Sequence, residues 1–327
     1  MTSPSSPPRK RRRAPVKRLA AVAVLAVSSV VGCSHLDAWQ RQAIFSPETE
    51  SQRWWREPPA GTETFDMPIG EGEHVHAWYW QSPNRDAPAV LYLHGARWNL
   101  NGSAFRMESW TDMGYSVLAI DYRGFGESSK LLPSQRTAVE DAEAALRELA
   151  RRQPDPTRRF IYGHSLGGAI AIELATRKDL PDFAGMIVES SFTSVVGMLS
   201  TLRYGWIPGL SLFVTQPFNS LEKLASLHTP MLFIHGTADR VVPHTMSDEL
   251  YAAALNVAPN LKRLVKIEGA SHSGAVRSGD VYERAVAEFM RDAADAFGQP
   301  VRQDLPVQGL RTRKSEADDR ARSKAAG

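Results

Sequence analysis

The stretch that most constrains this chain runs from Phe160 to Ala171 and reads Phe-Ile-Tyr-Gly-His-Ser-Leu-Gly-Gly-Ala-Ile-Ala. A short apolar run enters, Gly163-His164-Ser165-Leu166-Gly167 bends the chain, and a small-residue helical pattern leaves. A G-x-S-x-G motif between a strand and a helix holds its serine at the apex of a sharp turn. The flanking backbones approach too closely there for a Cβ, so glycine is wanted two residues before and two after. The helix that begins just past Ser165 aims its unpaired N–H groups and positive dipole end at whatever meets the hydroxyl.

The rest of the chain supplies a frame for such a turn. Two strands are expected near Glu63 to Pro68 and His74 to Gln81, the second alternating Val75, Ala77 and Tyr79 with His76, Trp78 and Trp80. Trp54, Trp55, Trp78 and Trp80 are read as cover for the core. From Ala89 onward, unbroken apolar runs alternate with glycine turns and helical segments. These runs are Ala89 to Leu93, Val117 to Ile120, Phe160 to Tyr162, Met186 to Val188, Met231 to Ile234 and Leu264 to Ile267. Strands buried on both faces and alternating with helices predict an α/β fold with an eight-stranded, mostly parallel sheet covered by helices on both faces. Arg136 to Arg151 reads as a helix with Ala138, Ala142, Ala145, Leu146 and Leu149 turned inward. The alternation breaks once, between Phe192 and Pro230, a segment too long for a simple connection. Residues 193–229 are read as a small helical lid or acyl-binding wall, with extra helices capping the core as the alternative.

A serine hydroxyl is a poor nucleophile unless an imidazole can take its proton, and the imidazole needs a carboxylate to fix its tautomer. Asp239 follows the seventh strand and His272 the eighth, where open α/β sheets gather their ligand-handling residues. His244 is the rival base and Glu189 the alternative acid. His94, His164 and His235 are expected to orient loops, and Asp121 and Arg123 to form a structural pair. No metal-ligand spacing or dinucleotide fingerprint appears, so no cofactor is implied.

Five motifs together carry a resemblance: Leu93-His94-Gly95, Asp121-Tyr122-Arg123-Gly124-Phe125-Gly126-Glu127-Ser128, Gly163 to Gly168, His235-Gly236-Thr237-Ala238-Asp239 and Gly269-Ala270-Ser271-His272. From about Gly61 to Gly298 the chain resembles the serine hydrolases of the α/β-hydrolase superfamily, in the branch related to monoacylglycerol lipases and prolyl-oligopeptidase-like proteins. The order Ser165, Asp239, His272 matches that superfamily's nucleophile, acid and base. The resemblance implies an oxyanion hole from the backbone N–H groups of Leu166 and Ala96, with Arg97 as fallback for the second. It also implies hydrolysis of an acyl ester or thioester through a covalent acyl-enzyme. The alternatives are a serine aminopeptidase acting on short peptides, which would want an acidic pocket for a free amine, and a non-catalytic envelope lipoprotein using the fold to bind.

The two ends read differently from the middle. The formal net charge of +3 comes from the N-terminus, where seven of the 39 basic residues and no acidic residue precede Cys33. The remainder holds 32 basic against 36 acidic residues, a net −4, which removes the main support for a nucleic-acid partner. The basic cluster is followed by an apolar run from Leu19 to Val31, too short for an ordinary spanning helix but suited to a signal-peptide core. It ends Val30-Val31-Gly32-Cys33-Ser34 and resembles a bacterial lipobox, which implies a signal peptide over residues 1–32 and lipid on Cys33, the sole cysteine. A plain secretory signal, an uncleaved anchor and a nuclear address are the alternatives. Ser34 in place of Asp points to the periplasmic side of an outer membrane if the cell is Gram-negative. Residues 33–60 are expected as a linker and lead-in, with Ala38 to Phe45 as a short helix packing its aromatics on the domain. Residues 299–327 are expected to be a disordered tail.

Overall fold

The computed structural model describes residues 31–47, 55–70, 72–201 and 208–298. The tail, most of the signal-peptide segment and Trp54 therefore lie outside the described residues.

One sheet of eight strands organises the chain, in the spatial order β1-β2-β4-β3-β5-β6-β7-β8. The strands are β1 (Glu63–Ile69), β2 (Glu73–Trp80), β3 (Ala89–Leu93), β4 (Ser116–Ile120), β5 (Arg159–His164), β6 (Gly185–Glu189), β7 (Met231–Gly236) and β8 (Lys262–Ile267). β2 pairs antiparallel with both β1 and β4, and every later pairing is parallel. The apolar runs of β3 to β7 are thus buried on both faces, as parallel strands under helices must be, whereas β8 at the sheet edge is half-buried.

The first helix, α1, spans residues 31–45 as far as the described residues reach. Seven more follow: α2 (Leu100–Asp112), α3 (Gln135–Arg152), α4 (Leu166–Leu174), α5 (Val195–Thr201), α6 (Ser220–Leu224), α7 (Thr245–Ala253) and α8 (Asp280–Ala296). Alternate side chains of each strand divide the core into two layers. Leu91 and Leu93 join α3, α4 and α7 on one face, while Val90 and Tyr92 join α2 and α8 on the other. On α3 the five residues expected inward are all buried, and Ser134 and Thr137 close its first turn as a reciprocal cap. On β2 the alternation is incomplete. Trp78, read as cover for the core, is buried in the second layer, and Trp80 is half-buried and donates its indole N–H to the Ala60 carbonyl.

The strand order places the site. The chain moves from β3 outward to β4, then returns to β5 on the opposite side of β3, so the segments leaving β3 and β5 diverge. Such a switch point opens a crevice beyond the carboxyl ends of the strands. Leu93 sits beside Gly163 in the β3–β5 register, so the loops after the two strands face each other across it.

Residues 33–60, read as a linker and lead-in whose Ala38 to Phe45 helix packs its aromatics on the domain, are in part docked there. The Gln40 side chain donates to the Phe213 carbonyl (2.6 Å) and accepts from the Thr215 N–H (2.9 Å), and Arg41 donates to the Pro133 carbonyl (2.9 Å). Phe45 packs fully buried against Phe125 and Phe218, whereas Trp39 on the same helix is 67% exposed. The 193–229 segment caps the core through Phe218, Leu224 and Leu227, and none of its described residues lines the cavity over Ser165. Residues 202–207 of it lie outside the described residues.

Candidate active site

Ser165 occupies the bend between β5 and α4 with φ 55° and ψ −119°, a backbone conformation a non-glycine residue adopts only under strain. The steric reading of its flanking glycines holds: a Cβ on Gly163 would run into the Gly167 carbonyl, and one on Gly167 into the Leu93 carbonyl. Neighbouring strands hold the bend. The Ser165 N–H donates to the Glu189 carbonyl at 2.8 Å, and the Ser165 carbonyl accepts from the Ser191 hydroxyl at 2.9 Å.

The loops after β5, β7 and β8 bring Ser165, Asp239 and His272 into one hydrogen-bonded chain. His272 Nε2 lies 3.1 Å from Ser165 Oγ, and His272 Nδ1 lies 2.7 Å from Asp239 Oδ2. A carboxylate only accepts, so Nδ1 carries the proton and Nε2 is left to receive one from the serine. Asp239 is held well below the ordinary carboxylate range. Burial pushes the other way, and hydrogen bonds from His235 and His272, the charge of His272 and the Val242 N–H outweigh it.

Four donors converge on that carboxylate. Oδ1 accepts from the backbone N–H groups of Val241 (2.8 Å) and Val242 (2.9 Å), and Oδ2 accepts from His235 Nε2 (3.0 Å) as well as from His272. His235 Nε2 also faces the Val242 carbonyl at 3.1 Å. Both neighbours of Nε2 are acceptors, so it must bear hydrogen, and Nδ1 accepts from the Ser247 hydroxyl beside it. The sequence predicts His235 as a loop-orienting turn residue. It is the penultimate residue of β7 and its side chain is fully buried, and the available signal was its place on a strand buried on both faces, where a polar group needs partners.

His164 supports the imidazole from behind. Its Nε2 donates to the His272 carbonyl at 2.9 Å, and it is held neutral, its pKa well below the usual histidine range, first by burial and then by the nearby Arg106 and His272. The rival residues are engaged elsewhere. His244 precedes α7, with its ring near Lys266. The Glu189 carboxylate accepts from Arg106 (2.7 Å), Tyr162 (2.8 Å) and Tyr282 (3.0 Å) in a buried cluster below the bend. The expected Asp121–Arg123 pair does not form. Asp121 caps the Leu100 N–H (2.8 Å) and faces His94, while Arg123 turns to Asp141 (2.6 Å).

Ala96 and Leu166 both lie beside Ser165, and among the described residues none accepts a hydrogen bond from either backbone N–H. The Arg97 N–H, the fallback, is spent on the Phe45 carbonyl at 2.9 Å. A cavity of about 960 Å³ opens over Ser165, with Ala43, Ile44 and Ser46 from the lead-in, Trp98, and Val241 in its wall. The arrangement can take a proton from Ser165 and present two unpaired N–H groups to an oxygen that gains negative charge nearby.

Among known families, the serine aminopeptidase S33 family matches residues 85–214. An uncharacterized protein of Mycobacterium tuberculosis is 30% identical over 293 residues, covering 85% of this chain and 98% of that protein. The α/β-hydrolase domain-containing protein WAV2 of Arabidopsis thaliana is 29% identical over 288 residues, covering 81% of this chain and 92% of that protein. Among solved structures, an esterase of Pyrococcus furiosus shares the fold with a TM-score of 0.59 at 19% identity, over 75% of this chain and 97% of that one. With near full-length relatives added to this sheet order and this bend, the chain belongs to the α/β-hydrolase superfamily.

Proposed function

We propose that this hydrolase cleaves carboxylic esters or thioesters through a covalent acyl-enzyme. Ser165 attacks the carbonyl, His272 takes the proton and later returns it to the leaving group, and Asp239 holds the imidazole and its developing charge. The N–H groups of Ala96 and Leu166 stabilise the oxyanion, each contributing a factor of about 10² to 10³ in turnover. The observation that carries this reading is the unbroken hydrogen-bonded chain from Asp239 Oδ2 through His272 to Ser165 Oγ at the base of an open cavity.

The family description names a peptidase and the Pyrococcus neighbour an esterase. Cavity chemistry favours the ester. A peptide's free α-ammonium needs a carboxylate partner, and among the described residues no Asp or Glu lines this cavity. A series of p-nitrophenyl esters of rising chain length, set beside aminoacyl p-nitroanilides, tests the choice. Esters are expected to be turned over faster, and a higher kcat/KM on the anilides would move the reading to the peptidase. Ser165→Ala removes turnover on either class, whereas a non-catalytic binding lipoprotein would show none in the wild type.

We further propose a lipid anchor at Cys33 in the cell envelope, on the periplasmic face of the outer membrane in a Gram-negative cell. Its support is the basic and apolar approach to Gly32-Cys33-Ser34, the exposed thiol, and exposed apolar residues farther along the same helix and on the segment it binds. Trp39 lies next to Gln40, which binds the segment bearing Leu212 (84% exposed) and Phe213 (63% exposed). No helix among the described residues is long and apolar enough to cross a membrane. Metabolic labelling with a fatty-acid analogue should mark the wild type, and a Cys33→Ser protein that stays with the membrane would count against the anchor.

A further inference from the structure

The charged residues in the wall of the Ser165 cavity are all of one sign: Arg97, Arg106 and Arg240. The carboxylates nearby are already committed. Asp239 is filled by its four donors, Asp121 by the Leu100 N–H with His94 beside it, and Glu189 by Arg106 and two tyrosines. Glu189 balances Arg106, but among the described residues neither Arg97 nor Arg240 has an ion pair. Two uncompensated cations therefore stand at the cavity, both on exposed residues directly beside machinery proposed for the chemistry: Arg97 follows Ala96 and Arg240 follows Asp239.

Arg97 has a second oddity. Its φ is +73°, a region where glycine is favoured, and its N–H is held there by the Phe45 carbonyl. Among the described residues no ion pair of its side chain accounts for an arginine at that strained position, which leaves the guanidinium to meet a ligand. Deeper in the wall, Arg106 is 1% exposed, and its Nη2 has no hydrogen-bond partner while Nη1 serves Glu189 and Tyr162. A buried donor without a partner in a cavity wall adds a further place for an acceptor oxygen.

We infer that this cavity selects acyl esters whose alcohol portion carries a negative charge, a phosphate or a carboxylate, bound at the mouth by Arg97 and Arg240. Guanidinium groups fit both anions through paired, charge-assisted hydrogen bonds. The apolar wall from Ala43, Ile44 and Val241 is left for the acyl chain. The inference rests on the hydrolase reading and names its substrate class.

The test compares three esters of one acyl chain on the full-length protein: 1-butanoylglycerol, its 3-phosphate, and 3-butanoyloxy-2-hydroxypropanoate. The wild type should favour at least one anionic ester over the neutral one by about tenfold in kcat/KM at low salt. That ratio should shrink as salt shortens the screening length from about 30 Å at 0.01 M to about 8 Å at 0.15 M. Which anion is preferred tells phosphate from carboxylate. In Arg97→Ala/Arg240→Ala the ratio should fall to about one. Arg97→Gly should lower the ratio while raising the thermal midpoint, since glycine relieves the backbone; an arginine kept for structure would lower the midpoint instead. Equal use of charged and neutral esters by the wild type, or a ratio unchanged in the double variant, overturns the inference and leaves the hydrolase reading standing. If turnover is too slow to follow, the same esters are ranked as competitors of fluorophosphonate labelling at Ser165. No labelling at all overturns both.

Discussion

Replacing His235 by phenylalanine removes one of the four donors on the Asp239 carboxylate while keeping a ring of similar size in a fully buried site. A hydrogen bond to a charged group contributes about 1.5–3 kcal/mol. The other three donors still keep Asp239 ionised at neutral pH, so the loss falls on its orientation and on its hold on His272. At about 1.4 kcal/mol per tenfold in rate, kcat should drop by a factor of about 10 to 10². That is smaller than the roughly 10⁴ lost when the acid of such a triad is itself replaced. KM should stay within about twofold, and the pH–rate profile above pH 5 should keep its shape. Steady-state kinetics on a chromogenic ester measure this, with thermal unfolding alongside, because Ser247 and the Val242 carbonyl also lose a partner. Two controls separate positioning from folding. His235→Gln returns an N–H near the same place and should recover part of kcat. Ser247→Ala costs stability from the other side of the ring but leaves the donor to Asp239, and should hold kcat within about threefold. A folded His235→Phe protein with wild-type kcat would refute the reasoning.

Three further outcomes follow from the same geometry. Gly167→Ala sets a Cβ against the backbone carbonyls of Leu93 and His94, which cannot swing away as a side chain would, and should cost at least about 3 kcal/mol in denaturant unfolding. Phe45→Ala empties a fully buried site, at about 3–5 kcal/mol, and frees the residue whose carbonyl fixes Arg97, so ester turnover should fall along with stability. His164 is buried and its folded-state pKa is depressed, so its neutral form belongs to the native state. Its contribution is present in full above the unfolded value of about 6.5 and is lost as pH falls below that. The stability difference between wild type and His164→Gln should therefore narrow from pH 7 to pH 4.5 in thermal melts; a constant difference would contradict this.

What was legible in the residues was what local sterics and periodicity govern. The Gly163 and Gly167 spacing reports a clash between backbones a few residues apart, and the structure contains that clash. The inward face of α3 follows from a period of 3.6, and the doubly buried strands from unbroken apolar runs. Asp239 and His272 could be found because the fold puts such groups just past consecutive strand ends. Contacts between segments far apart in the chain were not legible. Nothing near His235 announces Ser247 or the second face of Asp239, and nothing near Arg123 announces that Asp141 will outcompete Asp121 for it. The lead-in helix reads as packing through its aromatics, but nothing near Gln40 announces its bridge to Phe213 and Thr215. The apolar content of 193–229 suggested a wall over the serine, yet Phe218, Leu224 and Leu227 are used to cap the core, and the wall comes partly from Ala43, Ile44, Ser46, Arg240 and Val241.

The central claim is that Ser165 is the nucleophile, and covalent labelling tests it most directly. Wild-type protein treated with a fluorophosphonate and digested for peptide mass spectrometry should carry one adduct, on the peptide containing Ser165. Ser165→Ala should carry none, and His272→Ala should label far more slowly. An adduct of equal yield in Ser165→Ala, or one on another serine in the wild type, would contradict the account.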